Sequence, residues 1–401
     1  MGAVSRMGRA VSLLLAIITT SAMADVYVST ESNPPAALAP VLGTNASSPL
    51  TFNFTKGPGI LALESGTPAQ QQLAANVVAG FIAAGDLWRT YFTDAITINV
   101  TIDFQSLGAG ILGQAGSETD ELDWYDAGAS PVRTALINDA TSAADAMMIA
   151  NLQTVNSGGL DMMTIDTANS PTYPRVRDHD GSGNNVALDV TRANLKALGL
   201  IAGNDPAEDA SITFSSNFTW DFDRSNGISA GTYDFIGVAA HEIGHAMGFV
   251  SGVDTVDYCG GDGPEAPLDL DIYRVFSILD LCRYSADSLA QAEQPAEGAV
   301  LDLAYGDTPL FSIDGGDTIE GLFSTGRYNG DGRQASHWKD NLGLGIMDPT
   351  VAAGELMTIT ALDIMAFDVI GYDLPEPTTL LLLIAGGLII LRRRRRRSWA
   401  R

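Results

Sequence analysis

Cysteine is scarce in this 401-residue chain: Cys259 and Cys282 are its two, and they lack the close paired spacing of a cysteine zinc site. In an oxidising compartment they can close one disulfide across a modest loop. Histidine is almost as rare, with four residues: His179, His241, His245 and His337. Positive charge is short as well, 22 Lys and Arg against 48 Asp and Glu. Nine of those basic residues (Arg6, Arg9, Arg392 to Arg397 and Arg401) lie in the two ends together with one acid, Glu376, so the body carries about −34. That balance excludes nucleic acid and an anionic membrane surface as partners of the body. It suits an exported protein that must stay soluble, in salt or with bound calcium. The two clear apolar runs lie at the ends.

Residues 1–24 hold Arg6 and Arg9, a short apolar run over 11–18, and Ala22-Met23-Ala24. This is the build of a secretory signal peptide cut before Asp25, since the run is too short to span a bilayer. Residues 375–401 begin with Pro375-Glu376-Pro377, continue through an apolar stretch at 379–391, and end in six arginines from Arg392 to Arg397. Physically this is a membrane stop whose arginines stay on the cytoplasmic side, either temporary or a permanent anchor. The order of parts resembles the PEP-CTERM sorting signal of Gram-negative bacteria. That resemblance implies an exosortase-type partner, transient inner-membrane anchoring, and release to the cell surface or extracellular matrix, with membrane contact through this tail alone.

Between the ends, 46% hydrophobic and 17% charged residues describe a globular protein. Residues 25–66, rich in Pro, Ser and Asn, are expected as a loose lead-in with one short strand near 50–54. Thr67-Pro68-Ala69-Gln70 is a capping box with proline at the first helical position. The helix it starts should bury Leu73, Val77, Phe81 and Ile82 and end near 88–91. Ile96, Ile98, Val100, Ile102 and Phe104 alternate cleanly with polar residues and predict a strand. A loop is expected at 108–116 and a single helix over 132–152, its methionines filling core. Asp178, Asp180 and Asn184 sit in an Asp/Gly/Asn-rich run that is either a calcium loop or a plain surface turn, with His179 exposed and idle. Ile212, Phe214, Phe218, Trp220 and Phe222 predict a second alternating strand, placed at a sheet edge facing the cleft, where an extended peptide can pair.

The most informative stretch is His241-Glu242-Ile243-Gly244-His245. On a helix, positions 241 and 245 share a face, so both imidazoles can reach one cation while Glu242 reaches a metal-bound water. Gly248, three residues on, lets the chain leave the helix sharply. A catalytic zinc takes three protein ligands and a water. Asp254, Glu265 and His337 are the candidates for the third.

His337 stands in the run Ser336-His337-Trp338, followed by Gly345-Ile346-Met347-Asp348-Pro349 and an amphipathic stretch at 360–370. Together with the 241–249 segment, this layout resembles the leishmanolysin-like branch of the metzincins. The resemblance implies His241, His245 and His337 as zinc ligands, Glu242 as general base, and Met347 (or, in another register, Met357) as the methionine of the turn beneath the metal. Ser251, where the common metzincin pattern has its third ligand, is a poor one. The implied fold is α+β and zincin-like: a mixed twisted sheet over the 67 and 132 helices, with the histidine helix flooring a cleft. The expected parts are a catalytic subdomain at 67–252 and a smaller loop-rich one at 253–374 carrying the Met-turn. The implied activity is hydrolysis of polypeptides. Two alternatives remain open here: a non-catalytic zinc-binding surface or matrix protein, and a zinc hydrolase of a non-peptide amide or ester.

Overall fold

A computed structural model describes residues 23–31, 48–125, 130–167, 172–291 and 298–375. Residues 1–22 of the expected signal peptide and all but residue 375 of the expected sorting tail therefore lie outside the described residues. Among the described residues no helix is long and apolar enough to cross a membrane. The architecture is mixed α+β, with ten α-helices among the described residues and one dominant mixed sheet.

The sheet has six strands: β1 (Met23–Ser29), β2 (Thr51–Lys56), β3 (Thr97–Gln105), β4 (Ile111–Ser117), β5 (Ala210–Ser215) and β6 (Thr350–Ala352). Their spatial order is β6-β1-β4-β5-β3-β2. β2, β3 and β5 run parallel, β4 is antiparallel to β5, and β1 is antiparallel to β4 but parallel to β6. The expected alternation of β3 is present, with Ile98, Val100 and Ile102 wholly or almost wholly buried.

Several expectations need correction. The lead-in is ordered in two places: it supplies β1, β2 and a short helix, Pro58–Glu64. Residues 111–117, expected as loop, form β4; its glycines hide the alternation that marks a strand. β5 is an interior strand between β4 and β3, so it is not the peptide-accepting edge. It stops at Ser215; Trp220 and Phe222 leave the sheet and pack on Phe235, with ring centroids 5.4 and 4.6 Å away. The 132–152 helix is two helices, Pro131–Asp139 and Ala143–Asn151, because Ser142 and Asp145 form a new capping box between them. Of its methionines, Met148 is buried and Met147 exposed. This pair packs chiefly on the strand Thr119–Asp123 and the last helix.

Helix α1 (Pro68–Arg89) starts at the expected capping box. Its buried stripe is Ala74, Val77, Phe81, Ala84 and Trp88, while Ile82 faces solvent. That stripe packs on α2 (Phe235–Ala246), where the Trp88 indole donates to the Ala240 carbonyl at 2.8 Å. Gly80 is required at the crossing, since any Cβ there would run into the Phe235 ring. α2 is capped by the Asp234 carboxylate and is buried on nearly every side, against α1, β4 and the C-terminal part of the chain. Two further helices matter to the site: α3 (Val253–Cys259) and α4 (Ala361–Val369).

Candidate metal centre

Three histidines converge from two distant stretches. His245 Nε2 lies 3.0 Å from His241 Nε2 and 3.2 Å from His337 Nε2. All three rings are wholly buried. Each turns its other nitrogen to a backbone carbonyl: His241 Nδ1 donates to Ile346 at 2.7 Å, His245 Nδ1 to Phe249 at 2.7 Å, and His337 Nδ1 to Gln334 at 3.3 Å. Those bonds fix one tautomer, leaving three Nε2 lone pairs pointed at a common point. Burial drives the imidazoles toward the neutral form, His241 to about 4 and the other two well below the usual histidine range. Three neutral lone pairs this close repel unless a cation sits among them. Tetrahedral zinc, with Zn–N near 2.0–2.1 Å, holds its ligand nitrogens about 3.3 Å apart, so the trio fits such an ion. Among the described residues this is the one His/Cys/Asp/Glu group of three with ligand atoms within 4.8 Å of one another.

The local fold explains each placement. Gly248 leaves α2 with φ +110°, a left-handed turn that carries the Phe249 carbonyl back to His245. His337 is held from below by Asp254, which accepts from the Ala335 amide at 2.6 Å, the Ser336 amide at 3.1 Å and the Ser336 hydroxyl. Asp254 is therefore an anchor of the His337 loop, and burial pushes its carboxyl up to about 7. Ser251 is tied to Asp280 at 2.5 Å, and Glu265 is exposed; neither reaches the trio. Trp338 is a buried plug, stacked on Phe323 and edge-on to Phe249 at 4.8 Å.

Met347 lies directly against α2 at Gly244, between the two helical histidines; a Cβ at 244 would strike its sulfur. Met357 sits instead at the start of α2, where its amide donates to Asp234. Asp363, which sequence reading passed over, organises this floor. It accepts from Trp338 Nε1 at 2.8 Å, the Ile346 amide at 2.9 Å and the Thr360 amide at 2.7 Å, while capping α4. Its only sequence signal was the Thr360-x-x-Asp363 capping spacing.

Glu242 is wholly buried and both of its carboxylate oxygens lack a hydrogen-bond partner. Burial first, then the charge of Asp25, pushes its pKa well above the carboxylate range. The Val26 backbone of β1 lies beside it and works against that rise, and Gly113 of β4 lies so close that a Cβ would be 2.8 Å from Oε1.

The remaining expectations fall elsewhere. Cys259 and Cys282 are both buried and are not bonded to each other. The run holding Asp178, Asp180 and Asn184 is knit by its own hydrogen bonds, Asn184 Nδ2 donating to Asp178 at 3.1 Å and the Ser182 amide to Asp180 at 2.8 Å. His179 is half-buried rather than exposed, its Nε2 2.9 Å from Asn156 Oδ1. A separate acidic group gathers beside the C-terminal end of α4, where burial, with added repulsion from neighbouring acids, lifts Asp94 to about 8 and Asp139 and Asp368 to about 7. No protein family, curated protein or solved structure matches the chain.

Proposed function

We propose that this protein is an exported zinc-dependent endopeptidase of metzincin type, resembling the leishmanolysin-like branch. The observation that supports it most is the three neutral Nε2 donors, each fixed through its Nδ1, with an unpartnered carboxylate one residue along the same helix. His241, His245 and His337 would hold the ion, over Met347. Zinc there would supply Lewis acidity, polarising a peptide carbonyl and bringing a water to a usable pKa. Glu242 accepts the proton of the attacking water and returns it to the departing amine. An extended peptide would pair with the β4 backbone on the side that β1 occupies. Export through the leader, exosortase-type processing of the tail, and a final place at the surface or matrix of a Gram-negative bacterium belong to the same proposal.

A second reading, a non-catalytic zinc scaffold, has one observation in its favour: Glu242 and all three histidines are wholly buried. Zinc content and casein hydrolysis of residues 25–374, with Glu242→Gln and His337→Ala beside wild type, decide between them. Endopeptidase chemistry requires one zinc per chain, retained by Glu242→Gln with activity lost, and lost by His337→Ala. Zinc retention by His337→Ala would remove the three-histidine site.

A further inference from the structure

β1 occupies the place where the endopeptidase reading seats a substrate. It is inserted between β4 and β6, antiparallel to the first with Val26 opposite Gly113, and parallel to the second with Tyr27 opposite Thr350. It is bonded on both sides: the Val28 amide donates to Gly110 at 2.9 Å and the Tyr27 amide to Pro349 at 2.9 Å. Gly110 leads into β4, and Pro349 follows the Met347 turn. The Asp25 amide donates to Gln334, three residues before His337, at 2.9 Å. Outside, Arg327 pairs with the Asp25 carboxylate at 3.3 Å and lies over the Tyr27 ring. Beneath, the backbone at Val26 faces Glu242, and with β1 in place Glu242 and the histidines have no exposure. An added strand bonded to a sheet edge, with its backbone over the reacting groups, is how an extended peptide is recognised.

We propose that Met23–Ser29 fills the groove between β4 and β6 as a substrate-like strand, so that wild type is held at a low basal activity until this strand leaves. The proposal rests on the endopeptidase reading and adds to it the direction of the substrate: N to C against β4 and along β6, with the Asp25–Val26 peptide nearest Glu242. Removal of a leader before Asp25 does not release the strand, because the backbone bonds named above belong to Asp25, Tyr27 and Val28. A strand carried on the same chain competes at an effective concentration on the order of millimolar. A micromolar substrate therefore loses to it by about 100-fold or more.

The test uses the zinc-loaded chain in three forms: wild type, Tyr27→Pro, which deletes the amide bonded to Pro349, and Arg327→Ala, which removes only the surface clasp on Asp25 and Tyr27. Three quantities are read: hydrogen exchange of the amides of residues 26–28, binding of a fluorescent peptide carrying the sequence of residues 25–31, and casein hydrolysis. Wild type should protect those amides and ignore the peptide. Tyr27→Pro should exchange freely, bind the peptide and cleave casein at least about 10-fold faster, and Arg327→Ala should move the same way by a smaller factor. Should Tyr27→Pro fail to fold, Arg327→Ala carries the comparison alone. Wild type cleaving casein as fast as the variants while its amides stay protected overturns the proposal, as does a released strand whose groove takes no peptide. Peptide binding by the variants with no cleavage by any form keeps the occlusion and overturns the endopeptidase reading instead.

Discussion

Glu242 and Asp363 are both wholly buried acids in the walls of one site, yet their surroundings are opposite. Asp363 accepts from an indole, three backbone amides and the Thr360 hydroxyl, and so fixes the two loops that carry His337 and Met347. Glu242 accepts no hydrogen bond at all. Burying a carboxyl without partners costs stability, whereas a fully bonded one contributes it. A group kept in the costly condition beside a cluster of metal-type ligands is what the proposed chemistry calls for, and one in the favourable condition serves as framework.

The widest separation between the two comes from replacing each. Glu242→Gln should lower casein hydrolysis by about 100-fold to 10,000-fold, the range of a lost general base, while leaving urea stability equal to wild type or higher. Asp363→Ala should do the reverse. It strands several buried donors, so a loss of at least about 3 kcal/mol in urea unfolding is expected, with weaker zinc retention because Ile346 no longer holds the His241 ring. If Glu242→Gln destabilises as much as Asp363→Ala, the distinction collapses. A smaller effect is expected from Gly113→Ala, whose methyl presses on Oε1 of Glu242: activity should fall by about 10-fold through misplacement, with zinc content unchanged by atomic absorption.

The smallest effect lies away from the site, in the acidic group beside α4. Asp94 has its pKa raised to about 8 in the folded chain, by burial first, against an ordinary value near 4. Its stabilising contribution is therefore complete below about pH 4 and is lost as pH rises through 8. Asp94→Asn, which keeps an acceptor for the Asp373 amide, should flatten that decline and gain about 1–3 kcal/mol over wild type at pH 8 relative to pH 5. Urea midpoints at the two pH values check the sign; an unchanged difference would mean Asp94 does not carry the titration.

What could be read from the sequence was local. His241, Glu242 and His245 are legible because a helix converts spacing directly into a shared face. α1 was legible from its cap and β3 from its alternation. His337 lies 92 residues beyond His245, and no local rule connects them; the short roster of histidines and the resemblance did. β4 was missed because its useful residues are the ones without side chains, Gly113 clearing space for Glu242. β1 was missed because Met23 and Ala24 carry the composition of a leader end while serving as strand. Asp254, weighed as a ligand, turned out to act one step back, through the Ser336 hydroxyl and two amides. Asp363 gave no signal beyond a capping spacing.

The pairing of Tyr27 with Thr350 ties the first described strand to the last. A chain that emerges N-terminus first makes β1 at the outset and β6 only after some three hundred residues more, so that contact is among the most non-local in the molecule and its closure comes late. Until then β1 has one bonded edge, Ile346 and Met347 are not in position, and His241 has no carbonyl for its Nδ1. Placement of Ile346 and Met347 at the candidate metal centre and arrival of β6 are thus one event, set by the C-terminal segment. A chain stopped short of residue 337 lacks both the third histidine and the Ile346 carbonyl that orients the first.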